Sequence, residues 1–185
     1  MIKVATILAD GFEEIEALTV VDVLRRAAIH CDMVGLEGTE VTGSHAIRVH
    51  ADKVFKGSLD EYDLVYLPGG MPGAAHLRDH EVLIRALQDF NNKGGKLAAI
   101  CAAPIVLNRA GLLEGKDYTS YDGIQDSIEA GNYIKQTLVV DGNIITSRGP
   151  STALALAYQL VEQLGGDAQA LRKAMLYDQV FPGKE

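Results

Sequence analysis

The sequence predicts an α/β protein in which helices cover both faces of a mostly parallel sheet, as in a three-layer α/β/α sandwich. Strand-like and helix-like patterns alternate along the chain, which is typical of βαβ units. The 185 residues are 48% hydrophobic and 23% charged, values typical of a globular protein. Because the sequence shows no linker, internal repeat or low-complexity segment, we expect a single domain over residues 1–185.

The predicted elements alternate from the N-terminus onwards. Strands are predicted at 2–8, 31–36, 64–67 and 96–100, with a short strand or hairpin arm at 46–49. Helices are predicted at 13–28, 81–91, 104–110, 151–164 and 167–176. In the weaker region 117–146, Asp141-Gly142 is typical of a tight turn and predicts a hairpin with arms at 136–140 and 143–146. We expect residues 181–185 to form a frayed tail.

Composition argues against several classes of function. The net charge is −8 without a basic cluster, which disfavours nucleic acid or an anionic membrane as a partner. No stretch approaches the roughly 18 apolar residues that span a bilayer, and the opening run is too short for a signal peptide. With two cysteines, Cys31 and Cys101, a disulfide framework is not indicated. We therefore expect a cytoplasmic protein.

Cys101 gives the strongest functional signal in the sequence. The apolar strand 96–100 ends at this residue, and small residues followed by Pro104 begin a helical pattern. A nucleophile on such a strand-to-helix turn is held out at the sheet edge, and a helix N-terminus favours the thiolate. The pattern predicts a reactive cysteine with a depressed pKa. The alternative is a buried cysteine that fills space in the core.

The acidic loop after the first predicted strand is a second candidate, because ligands bind at the carboxyl ends of parallel strands. Glu13, Glu14 and Glu16 lie where a dinucleotide-binding protein would have glycines, and they would repel a pyrophosphate. Helical periodicity places Glu13 and Glu16 on the packed side of the helix without distinguishing between them. The alternative is that all three are ordinary acids of a first helical turn.

The loop after the strand 64–67 contains consecutive glycines, Gly69 and Gly70. Glycine lets a backbone N–H group approach a ligand closely, so an N–H here and that of Ala102 could form an oxyanion hole. The alternative is a plain turn. His76 and His80 have the spacing of a zinc protease motif but lack its glutamate, so we expect no metal site.

Six short segments form a specific combination, in order and over nearly the whole chain. They are Ile7-Leu8-Ala9, Gly11-x-Glu13-Glu14-x-Glu16, Val21-Asp22-Val23-Leu24-Arg25-Arg26-Ala27, Leu67-Pro68-Gly69-Gly70, Ala98-Ala99-Ile100-Cys101-Ala102-x-Pro104 and Thr146-Ser147-Arg148-Gly149-Pro150. This combination resembles the ThiJ/PfpI superfamily, in its Parkinsonism-associated deglycase branch. The resemblance implies a flavodoxin-like sandwich and a homodimer.

The resemblance also implies a set of site residues and a reaction. Cys101 matches the nucleophile, and Glu16 matches the glutamate whose protonated carboxyl hydrogen-bonds the sulfur. Gly70 and Ala102 match the backbone donors beside that sulfur. The implied activity is a glutathione-independent glyoxalase that converts methylglyoxal or glyoxal to a hydroxy acid, or a deglycase-like hydrolysis, with a small aldehyde as substrate and with no cofactor or metal. The alternative is an oxidative-stress sensor or redox-regulated chaperone that uses the same cysteine.

Two departures from the family pattern modify these expectations. PfpI-type proteases have a histidine directly after the cysteine, and Ala102 in that position disfavours a peptidase. Some members of the matching branch have a histidine near the cysteine, where the best match here is Tyr121. Because a phenol is a poorer base than imidazole at neutral pH, we expect Tyr121 to orient a substrate or donate a proton.

Overall fold

Eleven strands are present in the computed structural model, which describes residues 2–181. In chain order they are β1 (Lys3–Leu8), β2 (His30–Gly35), β3 (Glu40–Thr42), β4 (Arg48–His50), β5 (Lys53–Val54), β6 (Leu64–Leu67), β7 (Lys96–Ile100), β8 (Asp117–Tyr118), β9 (Asn132–Tyr133), β10 (Leu138–Asp141) and β11 (Ile144–Ser147). Seven of them form the central sheet, in the order β10-β11-β7-β6-β1-β2-β5.

The central sheet is parallel except at one edge. Neighbouring strands run in the same direction apart from β10 and β11, which form the predicted hairpin. The strand order reverses at β1, because β2 pairs on one side of it and β6 on the other. In open α/β sheets such a reversal creates a crevice at the carboxyl ends of the strands, and this crevice is the usual place for a ligand.

Seven α-helices accompany the sheet within the described residues. They are α1 (Glu14–Arg26), α2 (Gly73–Asp79), α3 (Glu81–Asn92), α4 (Pro104–Arg109), α5 (Ala153–Gln163), α6 (Ala168–Ala174) and α7 (Tyr177–Val180). Short 3₁₀ turns occupy 124–127 and 150–152. None of the helices in residues 2–181 is long and apolar enough to cross a membrane.

The sheet separates two hydrophobic cores. Helices α1, α5 and α6 contribute to the core on one face, and α2, α3 and α4 contribute to the core on the other. The strand β6 shows why both faces are covered: Leu64 and Tyr66 belong to the first core, whereas Val65 and Leu67 belong to the second. Side chains alternate across a strand, so a strand buried on both faces is apolar throughout. The arrangement confirms the predicted three-layer α/β/α sandwich.

Most predicted elements are present with small shifts at their ends. The segment predicted at 46–49 is a hairpin arm, β4, which pairs with β3. The sequence analysis missed helix α2, because it interpreted the glycines and prolines up to Gly73 as a loop. The helix predicted at 151–164 begins with a 3₁₀ turn and becomes α-helical at Ala153. Residues 182–185 of the predicted tail lie outside the described residues.

Candidate active site

Three loops converge at the carboxyl ends of β1, β6 and β7, beside the reversal of strand order. The N–H of Glu13 donates to the carbonyl oxygen of Gly69 at 2.9 Å, which joins the first loop to the second. A Cβ placed on Gly69 would lie 2.7 Å from the Cβ of Cys101, which shows how closely the third loop approaches. The structure thus brings together the three loops that the sequence singled out.

Cys101 occupies a sharp turn with a left-handed backbone. Its φ is +62°, a conformation that costs a non-glycine residue about 1–2 kcal/mol. Two backbone hydrogen bonds hold the turn: the N–H of Cys101 donates to Ser147 O at 3.1 Å, and its carbonyl accepts from the N–H of Tyr121 at 3.0 Å. The side chain is partly exposed. Strain of this kind is typical of a nucleophile elbow.

The residues after Cys101 are small because the turn is crowded. Ala102 and Ala103 are almost fully buried, 3% and 0% exposed, and Pro104 occupies the first turn of α4. Proline is favoured there because it has no N–H to leave unpaired. The N–H groups of Ala102 and Gly70 both hydrogen-bond the Cys101 sulfur. This is the pair of backbone donors that the resemblance implies.

Glu16 is fully buried at the start of α1 and faces the Cys101 sulfur. Its Oε2 accepts from the N–H of Gly69 at 2.8 Å. Its Oε1 has no partner of ordinary hydrogen-bond geometry among residues 2–181, although the carboxyl is close enough to the thiol for the two groups to shift each other's pKa. Burial raises the pKa of Glu16 to about 7, against the lowering effect of Cys101 and Gly69.

The pKa of Cys101 differs from the sequence-based prediction. Burial raises the pKa of the thiol to about 12, and the negative charge of the nearby Glu16 adds to the rise. The N–H groups of Gly70 and Ala102 act in the opposite direction without cancelling it. The prediction of a depressed pKa is therefore wrong: beside an ionised Glu16 the Cys101 thiol has a raised pKa. The resemblance implied a protonated Glu16 beside the sulfur, whereas an ionised Glu16 in that position raises the pKa of the thiol.

Cys101 and Glu16 form a coupled pair. Two groups that interact this strongly lose their protons in steps that belong to the pair. The first proton leaves near pH 7 and the second near pH 12. Between these pH values the pair holds one proton and one negative charge. The sulfur has the N–H groups of Gly70 and Ala102 as donors, and the carboxyl group has the N–H of Gly69. Such an arrangement can supply both a nucleophile and a proton donor near neutral pH.

The other two acids have structural contacts. Glu13 caps α1, because its Oε2 accepts from the N–H of Glu16 at 2.7 Å. Glu14 accepts from the backbone N–H of His45 at 2.7 Å and pairs with its Nδ1 at 2.8 Å. Burial alone would raise the pKa of Glu14, but the hydrogen bonds from His45 lower it, and the same contact raises the pKa of His45. The sequence analysis missed this imidazole because β3 and β4 bring it in from a distant loop.

Within residues 2–181, one group of side chains has the spacing of metal ligands. It consists of Glu13, Glu14 and His45, whose ligand atoms lie within 4.8 Å of one another. The polar contacts of Glu14 with His45 account for this arrangement without an ion. His76 and His80 do not join such a group: Nδ1 of His76 contacts Asp10 O at 2.9 Å, whereas Nδ1 of His80 accepts from a backbone N–H of α3. Their two rings therefore serve separate contacts.

Tyr121 lies next to the site through its backbone. Its N–H contacts the Cys101 carbonyl, as described above, but its side chain is 54% exposed and its ring lies against Gly149. Beside it, Arg148 pairs with Asp122 at 2.5 Å. Cys31 is buried in β2, where burial raises the pKa of its thiol to about 11. Of the two cysteines, only Cys101 thus has the exposure that a nucleophile needs.

Comparison with known proteins identifies the family. The family model described as the DJ-1/PfpI family matches residues 2–163. The chain belongs to the DJ-1/PfpI family. One relative is protein dj-1beta of Drosophila melanogaster, which is 39% identical over 92% of this chain and 94% of that protein. Another is the Parkinson disease protein 7 homolog of Danio rerio, which is 38% identical over 94% of this chain and 96% of that protein. A protein of Pyrococcus horikoshii named a deglycase is 32% identical, with 88% and 99% covered.

Solved structures of DJ-1 proteins have the same fold. The crystal structure of Drosophila melanogaster DJ-1beta has a TM-score of 0.91 and 37% identity, and covers 95% of this chain and 97% of that one. Toxoplasma gondii DJ-1, described as oxidized, has a TM-score of 0.90 and 35% identity, with 95% and 98% covered. The flavodoxin-like sandwich of this DJ-1/PfpI protein is therefore confirmed, and so is the branch that the sequence motifs indicated.

Proposed function

We propose that this DJ-1/PfpI protein is a cysteine-dependent enzyme that acts on small reactive carbonyl compounds, as a cofactor-free glyoxalase. The observation that carries the proposal is the Cys101–Glu16 pair, which shares one proton between pKa values of about 7 and about 12. A deglycase among its relatives supports carbonyl chemistry in the family. The related deglycase-like reaction would start from the same attack of the thiolate on carbon.

The first step joins the sulfur to the aldehyde carbon of methylglyoxal. A thiolate is the nucleophile, so the proton of the pair must reside on Glu16 at this moment. In the resting pair the pKa values keep this proton on sulfur, so its transfer to Oε1 of Glu16, which has no other partner, forms the thiolate, and the N–H groups of Gly70 and Ala102 stabilise that charge. As the S–C bond forms, the carbon–oxygen double bond becomes single, and Gly70 and Ala102 stabilise the oxyanion until it takes a proton.

The second step moves a proton between adjacent carbons. Glu16, now ionised, removes the hydrogen of the former aldehyde carbon as a proton, and the electron pair forms an enediolate with the neighbouring carbonyl. The hydroxyl proton on the former aldehyde carbon then passes to the oxygen of that carbonyl. Return of the proton to that neighbouring carbon gives the thioester of lactate. Water then cleaves the C–S bond and releases lactate and the Cys101 thiol. A carboxyl group with a pKa of about 7 suits both directions of this transfer.

Steady-state formation of lactate from methylglyoxal, without added glutathione or metal, tests the proposal. Cys101→Ala should abolish turnover, whereas Cys31→Ala, which removes the buried thiol of β2, should retain it. Turnover that survives in Cys101→Ala, or that is absent from the wild type, would refute the proposed reaction.

A redox role for Cys101 is a second candidate, favoured by the relative whose structure is described as oxidized. Two equivalents of hydrogen peroxide would convert the thiolate to a sulfinate and release two molecules of water. Mass spectrometry after peroxide treatment should then show a gain of two oxygens at Cys101 and none at Cys31. A Cys101 that remains unoxidised after treatment with about two equivalents of peroxide, with lactate formation intact, would favour the enzyme over the sensor or chaperone.

The protein should form a homodimer through the face around the start of α1. Ile15 lies between two buried acids of the site yet is 56% exposed, and Ile47 of the β3–β4 hairpin is 52% exposed. The backbone of Ile47 hydrogen-bonds Glu14, the residue before Ile15, so the two isoleucines lie on one face, and a contiguous exposed apolar face is typical of interfaces. Light scattering should report a dimer that Ile15→Lys weakens.

We further propose a small aldehyde as the substrate and a cytoplasmic location, with neither nucleic acid nor membrane as a partner.

A further inference from the structure

Tyr66 is a buried phenol that the proposed reaction does not use. It is fully buried in β6, where the sheet register places it between Thr6 of β1 and Ala98 of β7. Its hydroxyl donates to the backbone carbonyl oxygen of Glu16 at 3.1 Å. A buried hydroxyl needs a partner, and this one contacts the main chain of the residue whose side chain faces Cys101.

Glu16 is attached to the same strand and its loop at two points. At its backbone the carbonyl accepts from Tyr66, and at its carboxyl Oε2 accepts from the N–H of Gly69, three residues further along the chain. Gly69 also lies against Cys101. The segment from Tyr66 to Gly69 therefore fixes both ends of Glu16 relative to the sulfur. A single attachment would leave the residue free to tilt about that point.

We propose that Tyr66 is a positioning residue, which acts through the Glu16 carbonyl to hold the Glu16 carboxyl against the Cys101 sulfur. The proposal rests on the proposed function, since both need the Glu16–Cys101 pair. Glu16 lies in the first turn of α1, whose N–H groups lack intrahelical partners, so contacts from outside the helix, such as that of the Glu13 carboxylate with the N–H of Glu16, hold this turn in place. An attachment from the neighbouring sheet has its greatest effect at that position.

The phenol of Tyr66 remains a donor on both sides of pH 7, where the alkylation rates are compared. Burial raises the pKa of Tyr66 well above its usual value, and the nearby Glu16 and Cys101 add to the rise. Its hydroxyl hydrogen is therefore present on both sides of pH 7. A change in the pH profile after removal of the hydroxyl would thus reflect the position of Glu16, because Tyr66 itself does not ionise there.

The test is the rate at which iodoacetamide alkylates Cys101 as a function of pH, in the wild type and in Tyr66→Phe. We expect the variant to react about threefold to tenfold faster at pH 7, with the apparent pKa of the thiol lowered, because the Glu16 carboxylate that raises this pKa is held less closely to the sulfur. Tyr62→Phe is the matched control, because Tyr62 is also a buried phenol and donates to Asp32 Oδ2 at 3.0 Å, away from the site. Its profile should coincide with that of the wild type.

A double-mutant comparison separates positioning from general loss of structure. In a Glu16→Gln background, Tyr66→Phe should leave the alkylation rate unchanged, because no carboxyl remains to be positioned. Tyr66→Leu, a second variant without the hydroxyl, should reproduce the shift if Tyr66→Phe does not fold. Coincident profiles of the wild type and the Tyr66 variants, or an equal effect in the Glu16→Gln background, would overturn the proposal. Alkylation needs no carbonyl substrate, so failure of the lactate assay would leave this result intact.

Discussion

The N–H of Gly69 donates to Oε2 of Glu16 at 2.8 Å, in a space that no side chain can share. A Cβ at position 69 would lie 2.6 Å from Oε2 and 2.7 Å from the Cβ of Cys101. Its neighbour Gly70 has a φ of +88°, which lets its own N–H reach the sulfur. The two glycines therefore have different tasks: one makes room for the acid, and the other turns a donor towards the nucleophile.

We expect Gly69→Ala to reduce catalysis by the Cys101–Glu16 pair strongly. The new methyl group would push Glu16 away from Cys101 or displace the elbow, since contacts below 3 Å cannot be accommodated without movement. Turnover of methylglyoxal should fall by about 100-fold, the typical contribution of a positioned acid–base group. The measurement is kcat/KM for lactate formation.

Gly38→Ala is the control for this substitution, because a Cβ there meets no atom within 4 Å. It should retain activity close to that of the wild type. Activity in Gly69→Ala that matches Gly38→Ala would mean that the contact of Gly69 with Glu16 is dispensable.

The fold was predictable because its signals are local. The buried strand β6 is a continuous apolar run, and the strand β7 ends where Cys101 and Pro104 change the pattern. Helix α2 was missed because Pro72 and Gly73, which usually mark a loop, lie at the start of a short helix that relies on tertiary contacts. Local pattern thus predicts long elements well and short ones poorly.

The sequence singled out the residues that the structure brings together at the candidate site, but it did not predict the pKa values of those residues. The strand-to-helix pattern identified Cys101 and the family resemblance identified Glu16, whereas periodicity alone did not distinguish Glu16 from Glu13. The raised pKa of the thiol depends on burial beside a carboxylate from another loop, and no local pattern encodes that distance. His45 was missed for the same reason, because its contact with the start of α1 is formed by a remote hairpin.

Glu16 and Glu13 should differ sharply when each is replaced by glutamine. Glu16→Gln can still accept from Gly69 and donate to sulfur, but it cannot take a proton from carbon, so kcat should fall by about 100-fold or more. Glu13→Gln retains an oxygen that can cap α1 and should keep most of the activity. Lactate assays on both variants measure this, and a greater loss in Glu13→Gln would show that Glu13 is the acid–base group.

The stability of the protein should depend on pH through Glu16. Its pKa is about 7 in the folded protein, against an ordinary value of 4.5, so the folded state binds the proton more tightly than the unfolded state. The resulting stabilisation is complete below about pH 4.5 and is lost as the pH rises through 7. Relative to Glu16→Gln, the free energy of unfolding of the wild type should decrease by about 3 kcal/mol over this range.

Urea denaturation of both proteins at pH 4.5, 6 and 8 checks this dependence. Glu16→Gln is the appropriate reference, because it keeps the shape of the side chain and removes its titration. A difference between the two proteins that stays constant with pH would show that Glu16 titrates normally, and would remove the basis for its role as a proton carrier.

Tyr121 should contribute little to catalysis despite its contact with Cys101. That contact uses the backbone N–H, which Tyr121→Phe preserves, whereas the phenol is 54% exposed. An exposed hydroxyl contributes little to a transition state, so kcat/KM should change by less than about threefold. Tyr121→His should add a limb to the pH profile of kcat/KM only if the side chain turns towards the sulfur. A loss of about tenfold or more in Tyr121→Phe would show instead that this hydroxyl orients the substrate or donates a proton, as the sequence analysis expected.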